Sequence, residues 1–303
     1  MRKVIRGSMD QQLAYKLLAG FLVLTMVGSV FAYWIIGTGD NTTQEPQTPD
    51  TDLQKYNPDL WIINEPFNSI SDALRMTPVG TVSANFIDLE NMPPQMIQWV
   101  RQSDQLIPQV DSLYKSNTTK MFYARLHEGE NQSENNSFLL LSTMLTPRND
   151  FEYMVESNTS ILIRQENEYN GMYNILGTPI IFAPPQTAVD VLGILYGKNK
   201  TNTSHDQYEG LLSKGEPVSY QVINSNVTFA KQFYMGIGLV NGSYEKTTAY
   251  LDVNSSVLKK LNQSQANSTE RGFEQYIVNQ SGNYTTVKIV SPELLTVLAE
   301  ETS

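Results

Sequence analysis

Cysteine is absent from the 303 residues of this chain. That excludes a disulfide framework, a thiolate nucleophile and a Cys-based zinc site. Histidine is nearly absent too, with only His127 and His205. Neither belongs to an H-E-x-x-H pair, and no G-x-S-x-G nucleophile elbow occurs. Basic residues are scarce: 21 Lys and Arg against 31 Asp and Glu give a net charge of −10. A surface of that sign repels phosphate backbones, so nucleic acid is not an expected partner. Charged residues make up only 17% of the chain, below what a salt-loaded halophile would carry. Hydrophobic residues at 40% and aromatics at 10% still supply a real core, so this is not a disordered protein.

Long apolar runs are also missing, with one exception. Leu17 to Ile36 is twenty residues without a charge, about the length that crosses a bilayer core as a helix. Tyr33 and Trp34 stand near its outer end, where amphipathic rings favour the headgroup boundary. Arg2, Lys3, Arg6 and Lys16 precede it against the single acid Asp10, so the rest of the chain carries −13 of the total −10. By the positive-inside tendency the N-terminus is cytoplasmic and everything beyond Gly37 is outside. The competing reading is a cleaved signal peptide ending at Val30-Phe31-Ala32, but the apolar run continues past it through Ile36. A pilin-like leader ending at Arg6-Gly7 is a third reading, opposed by Asp10, Gln11, Gln12 and Lys16 before the run begins. The expected organisation is a cytoplasmic tail at 1–16, a transmembrane signal-anchor helix at 17–36, and a Thr/Pro/Asp-rich tether at 37–58. An extracellular domain fills 59–303, with a candidate lobe boundary near 198–206.

What is abundant is the sequon Asn-x-Ser/Thr. It occurs at Asn41, Asn117, Asn131, Asn135, Asn158, Asn199, Asn202, Asn226, Asn241, Asn254, Asn262, Asn267, Asn279 and Asn283, never with proline in the middle. With 25 asparagines and Ser plus Thr roughly a sixth of the chain, chance supplies about four. The excess is too large for the co-occurrence of Asn, Ser and Thr in turns. All fourteen follow the apolar segment, on the side that the charge rule places outside.

The remaining pattern predicts α+β structure with a mainly antiparallel sheet and several short helices. "GTVSANFIDL" alternates as a half-buried strand, with Val82, Ala84 and Phe86 on one face. "PPQMIQWVRQS" reads as a helix presenting Met96, Trp99 and Val100; "KMFYARLHE" and "SFLLLSTML" read as strands around a polar turn. "GTPIIFAPPQTAVDVLGILYG" is strand, loop and helix, with Thr187 placed as the cap and Asp190 in the first turn. Asn241-Gly242 joins two strand-like runs as a hairpin, "SSVLKKLNQ" is a helix and "YTTVKIV" a strand. Ser291-Pro292-Glu293 opens a last helix. The two halves share a loose order of strand, helix and paired strands, without residue identity between them.

"ALRMTPVGTVSANFIDLENM", the strand–loop–helix "GTPIIFAPPQTAVDVLGIL" and then "DQYEGLLSKGEPVSYQV" together resemble a family of membrane-anchored microbial surface proteins, archaeal in type. In that family a Leu-Pro-Ala-Asp-Thr-like turn precedes the first strand. Here the turn reads Met76-Thr77-Pro78-Val79-Gly80 and lacks the acid. The resemblance implies a fold and an exported location and carries no known chemistry.

Candidate chemistry is thin. His205 beside Asp206 invites a Ser-His-Asp reading, but neighbours in a chain seldom orient one another, and an exposed loop histidine is expected. Glu128, Glu130 and Glu134 lack the regular spacing of a calcium loop. "GIGLVNG" has Asn241 where a dinucleotide fingerprint needs glycine, so its glycines are expected to permit a bulge or close packing. Most of the 16 tyrosines, among them Tyr123, Tyr220 and Tyr250, sit in strand patterns that packing explains. No catalytic residue, cofactor or metal is assigned. The expectation is a single-pass glycoprotein of the cell membrane, held in the bilayer by Leu17–Ile36 and acting without catalysis on other surface or membrane proteins. A tethered solute-binding protein of a transporter is the alternative, and a surface hydrolase ranks behind it.

Overall fold

The computed structural model of the chain describes residues 63–127, 137–145, 153–155, 161–164, 171–197, 203–215 and 217–300. The tail, the anchor segment and the tether lie outside the described residues, as do Glu128, Glu130 and Glu134 and the sequons at Asn41, Asn131, Asn135, Asn158, Asn199 and Asn202. Among the described residues no helix is long and apolar enough to cross a membrane.

The fold is α+β, built on a large antiparallel sheet. Its centre is β2 (Thr81–Asp88), paired on one side with β3 (Thr118–Leu126) and on the other with β10 (Tyr220–Val227). Beyond β3 come β4 (Ser137–Met144), β9 (Ile180–Ala183), β7 (Tyr173–Ile175), β6 (Ile161–Arg164) and β5 (Tyr153–Val155). Beyond β10 come β11 (Ala230–Val240), β12 (Ser243–Leu251), β14 (Tyr284–Ser291) and β13 (Gln275–Ser281), completing twelve strands. Every neighbouring pair in this sheet is antiparallel. A separate short parallel pair joins β1 (Ile63–Asn64) to β8 (Gly177–Thr178). The segments before and after 198–206 therefore share one continuous sheet through the β2–β10 pairing.

Helices cover both faces. On one lie α1 (Ile70–Arg75), α4 (Pro185–Leu195) and α5 (Ser204–Leu212), packed on Phe86, Phe122, Leu139, Ile181 and Ile223. On the other lie α2 (Pro94–Ser103), α3 (Leu106–Tyr114) and α7 (Leu294–Ala299), over Ile87, Met121, Leu140, Val222 and Tyr244. A third cluster under α6 (Ser255–Ala266) gathers Tyr250, Leu261, Phe273, Tyr276, Val287 and Ile289. This double cover corrects the reading of β2 as half-buried: Thr81, Ser83 and Asn85, on its polar face, are buried like Ala84 and Phe86 on the other. Alternation marked two faces correctly, but the polar one also meets helices.

Two helix starts differ from the sequence reading. Helix α4 begins at Pro185 with Pro184 as its cap, so Thr187 lies buried in the first turn rather than capping it. Ser291 ends β14, and its hydroxyl accepts the Glu293 N–H at 3.3 Å before α7 begins at Leu294. The Asn241-Gly242 hairpin forms as expected between β11 and β12, with both residues at positive φ (51° and 88°), the requirement of a type I′ turn. Gly238 serves close packing: a Cβ there would lie 2.9 Å from the Val218 side chain, which crosses over β11.

The topology has an approximate two-fold arrangement about the β2–β10 pair. Helix α1 enters β2 and α5 enters β10. Outward from the centre, β3, β4, β9 and β7 on one side match β11, β12, β14 and β13 on the other. The helix starts match as well. Ser69 and Thr203 are the caps, each followed three residues on by an aspartate. The Ser69 hydroxyl accepts from Asp72 N–H at 3.1 Å, and Thr203 N–H donates to Asp206 Oδ2 at 3.3 Å.

The C-terminal end is fastened by ions. Lys246, buried on β12, donates from Nζ to the Glu300 carbonyl oxygen at 2.7 Å. The Glu300 carboxylate meets the Arg271 guanidinium and accepts from Tyr276 OH at 3.2 Å. Removing one partner of such a group strands the others. Glu300→Ala is expected to lose ~2–3 kcal/mol, less than the usual penalty for a buried pair because the Arg271 side chain keeps 33% exposure. Thermal unfolding followed by circular dichroism should show Tm lower by roughly 5–10 °C, with Glu209→Ala on the exposed face of α5 unchanged.

Candidate interaction surface

Residues with chemical potential in the sequence are dispersed by the fold. His205 is not a loop residue. It stands in the first turn of α5, half-buried, where its Nε2 lies 3.0 Å from Arg75 Nη2 and accepts from that guanidinium. Ser204, its neighbour, is fully buried and turned the other way: its hydroxyl donates to the Pro78 carbonyl and accepts from Thr81 Oγ1 at 2.7 Å. His205 Nδ1 does lie 3.7 Å from Asp206 Oδ1, but the Ser204 hydroxyl is engaged on the buried side, so the three form no relay. His127 is exposed at the end of β3, and its N–H donates to the Gly80 carbonyl at 2.8 Å. Among the described residues no group of three or more His, Asp or Glu is arranged to hold a metal ion.

Two polar clusters were not foreseen. At the corner between α2 and α3, Asp104 accepts from Tyr123 OH at 2.8 Å through Oδ2 and from Leu106 N–H at 2.9 Å through Oδ1. Burial raises its pKa above the ordinary carboxyl value, and these hydrogen bonds offset the rise only in part. Tyr123 is raised well above a free phenol by burial and then by the Asp104 charge, and Tyr220 rises for the same two reasons. Trp99 of α2 packs edge-on to Tyr220, with ring centroids 5.1 Å apart. The Tyr123 and Tyr220 contacts tie the helix corner to the sheet. The sequence signal was Asp104-Gln105 ahead of Leu106-Ile107, an acid at a helix start. The second cluster holds Arg164, fully buried on β6, its guanidinium carbon 5.4 Å from the Tyr114 ring centre and 5.8 Å from that of Phe182. Tyr114 OH donates to Asn174 Oδ1 beside it.

The sequons point outward. Asn117, Asn241, Asn254, Asn262, Asn267, Asn279 and Asn283 are all exposed, and these are the seven whose side chains are described. Six of the seven fall between 241 and 283, on the tip of the β11–β12 hairpin, along and beside α6, on β13 and in the β13–β14 turn. Asn226 lies on β10. Asn254 differs from the rest, since its Nδ2, the atom that would carry a sugar, donates to the Thr228 carbonyl at 2.8 Å.

On the face carrying α1, α4 and α5, helices α1 and α4 contain no sequon, and α5 opens on Ser204, the last residue of the sequon Asn202-Thr203-Ser204. Helix α4 buries Thr187, Ala188 and Val191 and turns Val189 and Tyr196 outward, 50% and 60% exposed, one above the other at helical spacing. Its one charge, Asp190, is bonded by Gln186 Nε2 at 2.9 Å. The first described strand reaches this region: β1 lies so close to β8 that a Cβ on Gly177 would come within 2.4 Å of Ile63 Cβ.

No family model matches the chain, and no curated protein matches it. Among solved structures it is similar to TP0453 in crystal form III, with TM-score 0.44 and 8% identity over 75% of this chain and 97% of that one. Crystal form I of TP0453 gives 0.42 and 9%, and crystal form IV gives 0.44 and 9%, each over 75% of this chain and 96% of the other.

The Asp104 shift has a measurable consequence. Because its folded pKa lies above the unfolded one, the folded chain binds the extra proton between the two values. The contribution to stability is present at low pH and is lost as pH rises through the folded pKa. Asp104→Asn removes this dependence. Urea unfolding between about pH 4 and pH 7 should show wild type losing stability relative to Asp104→Asn as pH increases.

Proposed function

We propose that the chain is a membrane-anchored, N-glycosylated extracellular protein, archaeal in type, that works by contact rather than catalysis, as a surface interaction protein or an accessory subunit of a membrane or envelope assembly. The observation that carries this reading is the outward placement of all seven described sequon asparagines. A transferase needs an accessible amide, and turn-forming asparagines in a core or at buried caps would not provide one. The apolar segment Leu17–Ile36 supplies the anchor and the acidic, sequon-bearing remainder supplies the external side. The sequon-free stripe of Val189 and Tyr196 on α4 is the contact surface, and its partner is a neighbouring membrane protein. The first described strand lies against β8, which leads through β9 into α4.

A solute-binding protein would hold its ligand where the two halves meet. There the N-terminus of α5 is closed onto β2 by Ser204, Thr81 and Tyr208, whose OH donates to the Thr81 carbonyl at 2.6 Å. That seam argues for a fixed body over a hinged one.

A photo-crosslinking side chain at Tyr196, in chain expressed in its native membrane, is expected to yield one defined protein adduct. The same group at Gln263, exposed on α6 among the sequons, is expected to yield none. Peptide mass mapping of the same sample should find sugar on several sequons and the Met1–Lys16 segment intact. An N-terminus beginning near Tyr33, or equal adducts from both positions, would sink the reading.

A further inference from the structure

Strand β13 ends the twelve-stranded sheet, and among the described residues its outer edge faces no other strand. An open edge invites pairing with another chain, and proteins blunt it by shortness, charge, proline, a bulge or cover. At the opposite edge, three residues of β5 are described. Strand β13 has seven, Gln275-Tyr276-Ile277-Val278-Asn279-Gln280-Ser281, with no charge, no proline and no glycine. Its register with β14 runs through seven consecutive pairs without a bulge. Helix α6 packs on one face of the strand through the Leu261–Tyr276 cluster and leaves the edge clear. A neutral run of this composition and length is a hazard for strand-to-strand association. Charge, proline and a bulge are absent, but a sequon, Asn279-Gln280-Ser281, forms the last three residues. Asn279 is exposed, Asn283 sits in the turn that closes the strand, and Asn241 lies near its start, where Ser243 Oγ donates to Glu274 Oε2 at 2.9 Å.

We propose that β13 is a self-pairing edge and that a glycan on Asn279 keeps it closed to a second copy of this chain. This inference rests on the glycosylation reading above. Two copies pairing antiparallel about a two-fold at Val278 would set Ile277 of each opposite Asn279 of the other. Glu274 would fall opposite the copy's Gly282, so no like charges meet. The two Asn279 side chains would stand diagonally on one face, roughly 7–8 Å apart. Bare asparagines fit there, and two branched sugars do not.

The test uses the full chain in detergent, from a host that glycosylates sequons, with protein mass per particle measured by light scattering and Asn279 occupancy by peptide mass. Wild type is expected to carry sugar at Asn279 and to run as a single chain. Asn279→Gln, and separately Ser281→Ala, which keeps the asparagine but destroys the sequon, are each expected to double the protein mass. Adding Ile277→Lys, which places a charge on the 39% exposed position of the same edge, is expected to return both to single chains. Single-chain behaviour of Asn279→Gln and Ser281→Ala overturns the proposal, as does a doubled mass that Ile277→Lys leaves unchanged. A wild-type chain that is bare at Asn279 and still single overturns it too. Absence of sugar from every sequon would refute the glycoprotein reading itself. The edge alone would then be judged by whether the bare chain doubles and Ile277→Lys reverses it.

Discussion

The pairing of β2 with β10 is the constraint on which the rest of the structure depends. It is a short ladder, from Tyr220↔Ile87 to Asn224↔Ser83, and among the described residues it is the one strand pairing that joins the seven strands on one side of the sheet to the five on the other. Both strands are covered on both faces, so any slip by one residue would exchange two buried sets at once. The polar positions of β2 are therefore buried, and those at its two ends are bound. Asp88 accepts from Asn91 N–H and Nδ2 at 3.1 and 2.9 Å, and Thr81 is tied through its hydroxyl to Ser204 and through its carbonyl to Tyr208. Burial pushes the Tyr208 phenol up to about 12, which keeps that donor protonated at any ordinary pH. Helices α1 and α5, each capped by a hydroxyl residue with aspartate three residues on, are placed over this seam by the strands they lead into.

Elements with a strong period were legible in the sequence, and those without one were not. β2, β3 and β4, the Asn241-Gly242 hairpin, α6 and β14 each carry either clean alternation, a stripe or an obligate turn residue. Strand β13 shows Tyr276 and Val278 inward, but its other face mixes Ile277 with Asn279 and Ser281, which reads as a polar linker. Its strand identity comes from β14, a tertiary partner that periodicity cannot see. Helices α1 and α5 are six and nine residues long, too short for a stripe to emerge. Their caps were nonetheless written in the chain as Ser69-x-x-Asp72 and Thr203-x-x-Asp206. The cap at Thr187 was misplaced because the helix starts earlier, on Pro185, whereas the last helix starts later than Ser291-Pro292-Glu293 suggests, with Glu293 as its cap.

The chemistry of the side chains divides by depth. Inside, Asp104, Tyr123, Arg164, Asn174, Lys246 and Glu300 are held by one another or by aromatic faces, so their polar atoms fasten helices to the sheet. Outside, the repeated motif is Asn-x-Ser/Thr, and the described examples are all presented to solvent. That is why the sites read from sequence were sequons and not catalysts. A sequon is a local pattern whose meaning survives without a fold, whereas the Asp104–Tyr123 contact joins a helix corner to a strand 19 residues away and has no local signature beyond an acid at a helix start.

The two sides of the sheet close on opposite faces. Helix α4 packs on the face that also carries α1 and α5, and α7 packs on the other. Beyond β12 the sheet still runs eight residues in β14 and seven in β13. A long neutral edge needs protection. Asn279 stands on that last strand and Asn283 in the turn that closes it, in a chain whose charged residues are only 17% of the total. Sugar at these positions would supply in bulk what the strand lacks in charge.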